Sequence, residues 1–216
     1  MNVLLGTERP SLRFGAVLGY LGAISSLIAY SLYAFLMLQG KVETNVVTWV
    51  LWAFESILCF RIYRDQVGGD IPKYIQEAAA ALGCVAITLL LVWQAYYART
   101  VDIWKPVAMV DGMSVILFLI VLYIYKRYEV KWSTLAFQLV VILSTPPLIR
   151  NVYEHPSSEP LLPWIFWTAG FLLQLACVIA RNKGGSFYQY LTPANYAFWH
   201  GTVAVIVLTS SGHMFM

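Results

Sequence analysis

The sequence predicts an all-α integral membrane protein of seven transmembrane helices, built as two parallel triple-helix repeats around a linker helix. Three observations predict it: a composition poor in charge, seven long apolar runs, and tryptophan-anchored blocks that recur in the second half of the chain.

Of the 216 residues, 60% are hydrophobic and 12% charged, and the mean hydropathy is +0.68. A soluble domain carries about 45–50% apolar and about 25% charged residues. So little charge cannot solvate a globule of this size, and lipid is the solvent implied for most of the surface. The 8 Trp and 14 Tyr suit the headgroup zone, where amphipathic rings collect. A β-barrel would alternate polar and apolar residues over strands of about 10 residues. The runs here are continuous, so helices satisfy the backbone instead.

The apolar runs span Phe14–Leu38, Val46–Tyr63, Gln76–Ala98, Pro106–Tyr125, Leu135–Ile149, Leu161–Ala180 and Leu191–Thr209. A helix needs about 20 residues to cross the hydrocarbon. The fifth run is short and is interrupted by Thr145, Pro146 and Pro147, which predicts a kink and a freed carbonyl. The first run lacks a cleavage site and is expected to stay as a helix. Gly40-Lys41, Gly68-Gly69-Asp70, Lys126-Arg127, His155-Pro156-Ser157-Ser158 and Lys183-Gly184-Gly185 mark short connections, so the chain reads as one membrane domain.

Counting Lys and Arg orients the bundle. With seven spans, Arg9, Arg13, Arg61, Arg64, Lys73, Lys126, Arg127, Lys131, Arg181 and Lys183 share the N-terminal side, ten of the 14. Lys41, Arg99, Lys105 and Arg150, four of the 14, lie opposite. The split predicts a cytoplasmic N-terminus and an external C-terminus, in a bacterial inner (plasma) membrane.

The internal repeat is the strongest signal. Trp49-Val-Leu-Trp52-Ala-Phe opens the second helix and Trp164-Ile-Phe-Trp167-Thr-Ala the sixth, at an offset of 164 − 49 = 115. Gly68-Gly69 and Tyr74 match Gly184-Gly185 and Tyr190 at 184 − 68 = 116. Gly83-Cys-Val-Ala-Ile-Thr-Leu-Leu matches Gly201-Thr-Val-Ala-Val-Ile-Val-Leu at 201 − 83 = 118. The repeats cover residues 14–98 and 133–210, with 106–125 as the linker that lets both point the same way. Helix 1 pairs with helix 5 by order.

This 3+1+3 layout resembles the SWEET and PQ-loop transporter superfamily, and the W-x-x-W pairs are similar to those of the Pnu-type vitamin transporters of the same fold. The resemblance implies a facilitator working by alternating access around a site near midplane. The chain departs from those families in three ways. It has no Pro-Gln pair at the PQ position. It lacks prolines in helices 1 and 2, although Pro146, Pro147 and Pro163 stand in or at helices 5 and 6. Its N-terminus is expected inside.

The candidate substrate-binding residues are Trp49, Trp52, Glu55, Trp164, Trp167, Asn195, Trp199 and His200. Trp49 and Trp52 lie one turn apart, as do Trp164 and Trp167, so paired indoles could clamp a sugar or heterocycle. An aromatic belt is the alternative. Glu55 sits one turn below Trp52, where an ionisable group at membrane depth costs about 2–4 kcal/mol and points to function. Asn195 resembles the asparagine that SWEET-type proteins place on this helix; its repeat position falls between Glu77 and Ala79. Trp199 shares its face, and His200 could titrate near neutrality. Asp111 reads as an interfacial residue near a helix N-terminus. Tyr30, Tyr33, Gln138 and Gln174 are lesser candidates.

Gly15-x-x-x-Gly19 and Ala78–Ala81 before Gly83 read as close packing. Cys59, Cys84 and Cys177 read as buried small hydrophobes, not metal ligands. There is no phosphate-binding glycine loop, H-E-x-x-H or G-x-S-x-G, so no enzyme and no cofactor are expected. The expected partners are the lipid bilayer and a small polar molecule, sugar-, nucleoside- or vitamin-like. A homo-oligomer is compatible with this reading, and no nucleic acid is expected. A non-transporting receptor, sensor or assembly partner is the alternative, because fold alone does not set function.

Overall fold

The computed structural model describes residues 10–42, 46–98, 109–156, 159–181 and 185–212. Arg9, Arg99, Lys105, Ser157, Ser158, Lys183, Gly184 and the side chain of Asp111 lie outside the described residues. Within them the chain forms α1 (Pro10–Leu38), α2 (Val46–Gln66), α3 (Ile71–Trp93), α4 (Met109–Arg127), α5 (Val130–Glu154), α6 (Leu161–Arg181) and α7 (Tyr188–Gly212). A π-helical turn over Gln94–Ala98 extends α3. No strand occurs among the described residues.

Five of these helices, α1, α2, α3 with its π turn, α5 and α6, are long and apolar enough to cross a bilayer. Their outward faces are dominated by apolar side chains: Phe14, Leu82, Leu89 and Ile179 are each more than 60% exposed. Lipid is the environment such a surface requires.

α3 packs between α1 and α2, whose backbones do not approach each other closely; α7 does the same for α5 and α6. Across the bundle α1 lies along α6 over most of its length, whereas α2 and α5 meet over a smaller area, and α4 rests against α5 and α2. Small residues set the α1–α6 seam. Gly15, Gly19, Gly22, Ser26 and Ala29 are buried along one stripe of α1. A Cβ at Gly22 would lie 2.8 Å from the Gly170 carbonyl oxygen, and one at Gly15 3.1 Å from the Ala180 Cβ. Backbones come this close only when side chains are absent, and dispersion replaces the missing hydrophobic drive within lipid.

α5 departs from the sequence expectation. It is continuous from Val130 to Glu154, through Pro146 and Pro147, rather than a short span beginning at Leu135. Just before the prolines, the Thr145 hydroxyl donates to the Val141 carbonyl at 2.6 Å and the Ser144 hydroxyl at 3.3 Å. The added first turn is polar because it faces protein: Ser133 and Thr134 are buried, and Thr134 Oγ1 donates to Gln66 Oε1 at 3.1 Å.

The turn from α2 to α3 needs glycine. Gly68 and Gly69 take φ of 65° and 74°, the left-handed region that other residues enter at a cost. This end of the bundle is tied across its two halves. The Arg181 guanidinium of α6 forks onto the Asp70 carboxylate at 3.0–3.2 Å, and its Nη1 donates to the Leu12 carbonyl at 2.6 Å. Lys73 of α3 donates to Gln189 Oε1 at 3.2 Å, and Tyr63 of α2 donates to the Gln189 carbonyl at 2.8 Å. Lys73 and Tyr63 are both buried.

Candidate functional site

A cleft of about 150 Å³ lies among α1, α2, α3, α5, α6 and α7. Its walls are mostly rings. Trp49 and Trp52 of α2 meet edge to face with centroids 5.1 Å apart, at 69°. Trp164 and Trp167 of α6 repeat that arrangement at 5.1 Å and 74°. Trp49, Trp164 and Trp167 are 3–4% exposed, so they point into the protein and not to the headgroup zone. Other rings, Trp93, Tyr96, Tyr97, Trp132 and Tyr153, are exposed near helix ends, where a belt is expected.

α1 and α7 complete the cage. Tyr33 bridges the two pairs, 5.2 Å from Trp49 and 5.6 Å from Trp167. Tyr30 meets Trp167 edge-on at 5.0 Å. His200 of α7 sits 5.4 Å from Trp164 and 5.1 Å from Phe171, while Phe171 stacks on Tyr196 at 4.8 Å and 15°. Each such ring pair adds about 0.5–1.5 kcal/mol beyond its area, which makes the cage stiff. Trp199 also lines the cleft.

Two carboxyl groups face this aromatic space, Glu55 from α2 and Glu77 from α3. Glu55 forms no hydrogen bond or ion pair with any described residue. Glu77 is 2% exposed, and its carboxylate accepts from Gln174 Nε2, which also donates to the Lys73 carbonyl at 2.8 Å. The neighbouring Gln76 Nε2 donates to Ser26 Oγ, so α1, α3 and α6 are joined by one buried amide layer.

The sequence reasoning named Gln174 as a lesser candidate and used Glu77 only as a repeat position. The signal that singled out Glu55, an ionisable residue inside an apolar run, applies equally to Glu77. Lys73 was counted as a loop cation, and the fold buries it.

Seven of the eight residues singled out from sequence line the cleft: Trp49, Trp52, Glu55, Trp164, Trp167, Trp199 and His200. Asn195 lies outside this wall. Its Nδ2 donates to Gln138 Oε1 at 2.8 Å, and Gln138 Nε2 donates to Thr192 Oγ1 at 3.0 Å, fastening α5 to α7. Cys59, Cys84 and Cys177 are free and buried. No three His, Cys, Asp or Glu side chains converge as a metal site among the described residues.

Glu159, in the α5–α6 connection, accepts from Trp164 Nε1 at 3.0 Å. Burial raises its pKa from 4.5 to about 7, against the lowering effect of that hydrogen bond. The folded state therefore holds the proton more tightly than the unfolded chain, and stability falls as pH rises from about 4.5 to about 7. Tryptophan emission should titrate with a midpoint near 7 and lose that step in Glu159→Gln; a step unchanged by the substitution would assign it elsewhere.

No family model, curated protein or solved structure matches the chain.

Proposed function

We propose that the protein is a seven-span membrane transporter or facilitator of a small polar molecule, with its two triple-helix repeats moving about the central cleft. The observation that carries this reading is the cleft itself, walled by matching tryptophan pairs on α2 and α6. An interior filled with aliphatic side chains would have favoured a receptor or assembly partner.

Two further observations support the repeat. The packing order α1–α3–α2 has its counterpart in α5–α7–α6. The Gln76–Ser26 bond between α3 and α1 has its counterpart in the Thr192–Gln138 bond between α7 and α5, with 192 − 76 = 116. α7 and α4 complete the seven spans. α7 is less apolar because Thr192 and Asn195 face α5, and it packs between helices that are long and apolar enough to cross. The ten-to-four cation split supports a cytoplasmic N-terminus.

Alternating access is testable without a substrate. In a Cys59→Ala, Cys84→Ala, Cys177→Ala background, a single cysteine at Ser144 in the cleft should react with a membrane-impermeant thiol reagent in both right-side-out and inside-out vesicles. Labelling from one side only would favour a receptor or sensor.

A further inference from the structure

We propose that the cleft is built to take a compact organic cation, such as a quaternary ammonium or cationic ring, with Glu55 and Glu77 as its counter-charges. The proposal deepens the transport reading, on which it rests for the passage of the ligand though not for its binding.

Most polar groups in the cleft are already engaged within the fold. A sugar needs many hydrogen-bond partners around its rim. Here most hydroxyls are spent within the fold. Ser56 Oγ donates to the Ala53 carbonyl at 3.0 Å. Ser144 and Thr145 donate to the Val141 carbonyl. Tyr30 Oη contacts Cys84 Sγ at 3.3 Å, and His200 Nδ1 contacts the Tyr196 carbonyl at 2.7 Å. Asn195 is held by Gln138, away from the cleft. Glu55 forms no hydrogen bond with any described residue, the Glu77 carboxylate accepts only from Gln174 Nε2 among them, and the indole N–H groups of Trp167 and Trp199 have no acceptor among the described residues. Trp167 is 4% exposed, so its orphan N–H is shielded from water.

No basic side chain among the described residues pairs with either carboxyl. Lys73, one turn before Glu77, directs its ammonium to Gln189 and, at 3.7 Å, to Asp70. Arg181 is committed to Asp70. His200 alone of the lining residues can carry a positive charge, and one of its ring nitrogens is engaged with the Tyr196 carbonyl. Tryptophan faces attract cations through the ring quadrupole, most strongly when the site is desolvated. Buried carboxylates gain most from a cation where water is excluded. An aromatic cage with two acids that meet no cation among the described residues therefore favours positive charge over a neutral polyol, most of whose hydroxyls would outnumber the few free polar groups and be buried without partners.

The test uses the full chain in lipid nanodiscs, with binding followed by tryptophan fluorescence and thermal shift. Tetramethylammonium, choline and benzyltrimethylammonium chlorides are compared with sodium chloride at equal ionic strength and with glucose. The expected result is saturable binding of at least one organic cation, no saturable response to glucose or sodium, and affinity weakened about tenfold or more by Glu55→Gln and by Glu77→Gln. Glu55→Gln breaks no hydrogen bond among the described residues, and an unchanged melting temperature without ligand separates a loss of binding there from unfolding. Absence of saturable cation binding, or binding unchanged in both variants, overturns the proposal. Thiol labelling from both membrane faces would then still stand for transport of a neutral molecule, while cation binding with one-sided labelling would keep the ligand class and remove the transport reading.

Discussion

Gly19→Ala should lower the melting temperature by roughly 2–12 °C, and Gly19→Leu should abolish the monodisperse folded protein. A Cβ at position 19 would collide with the Pro72 carbonyl oxygen, lie 2.8 Å from the Pro72 carbonyl carbon and 3.1 Å from Cys177 Sγ. Two of those three atoms are backbone at the first turn of α3, close to Asp70, whose carboxylate Arg181 grips. The helix cannot yield locally without loosening the Arg181–Asp70 fork. Overpacking of a rigid site costs about 1–3 kcal/mol, and each kcal/mol shifts the midpoint by about 2–4 °C in a chain of this size. Gly112→Ala on α4 is the control, because a Cβ there meets nothing within 4 Å and alanine is the better helix former. Thermal unfolding in one detergent, with gel filtration of each variant, measures all three. Equal midpoints for Gly19→Ala and Gly112→Ala would mean that the α1–α3 contact is not tight.

The Gly15-x-x-x-Gly19 motif was legible because a small-residue stripe has one economical explanation inside a membrane, which is backbone approach. Five long apolar helices were legible for a similar reason: lipid filters outward residues strictly enough that hydropathy finds α1, α2, α3, α5 and α6, though not their ends. The same filter hides what faces inward. Ser133 and Thr134 lowered the apparent hydropathy of the first turn of α5, and the run was placed to begin at Leu135, yet both side chains are buried. Glu77 was hidden in a different way. It follows Gln76 and Lys73 at the head of α3, where charges usually mark an interface, and only tertiary packing against α6 turns that head into interior. The tryptophan pairs could be read from sequence as either a clamp or a belt, because spacing fixes their mutual geometry and not the direction of the helix face. Asn195 shows the limit of reading roles through a resemblance. Its amide is consumed by Gln138, a partner 57 residues earlier that no local pattern links to it.

Gln174→Leu should destabilise the protein by about 3 kcal/mol, and adding Glu77→Leu should restore most of that loss while removing cation binding. Gln174 Nε2 donates to the Glu77 carboxylate in a site where both residues are 2% exposed or less. Removing the donor leaves a buried acid without its hydrogen bond, which costs the full desolvation of the group and not just the bond's net value. Replacing both partners by apolar residues of similar size removes the stranded group, an exchange that is often neutral. Unfolding free energies of the wild type, both single variants and the double variant form a cycle, and a coupling energy above about 1 kcal/mol is expected for groups in one hydrogen-bonded pair. Binding of tetramethylammonium follows a different pattern, weak wherever Glu77 is absent, including in the stable double variant. A double variant as unstable as Gln174→Leu would make Glu77 a structural member of the amide layer. A double variant that is stable and does not bind shows the reverse: the fold carries a buried acid it does not need, and the reason for keeping that acid is the ligand.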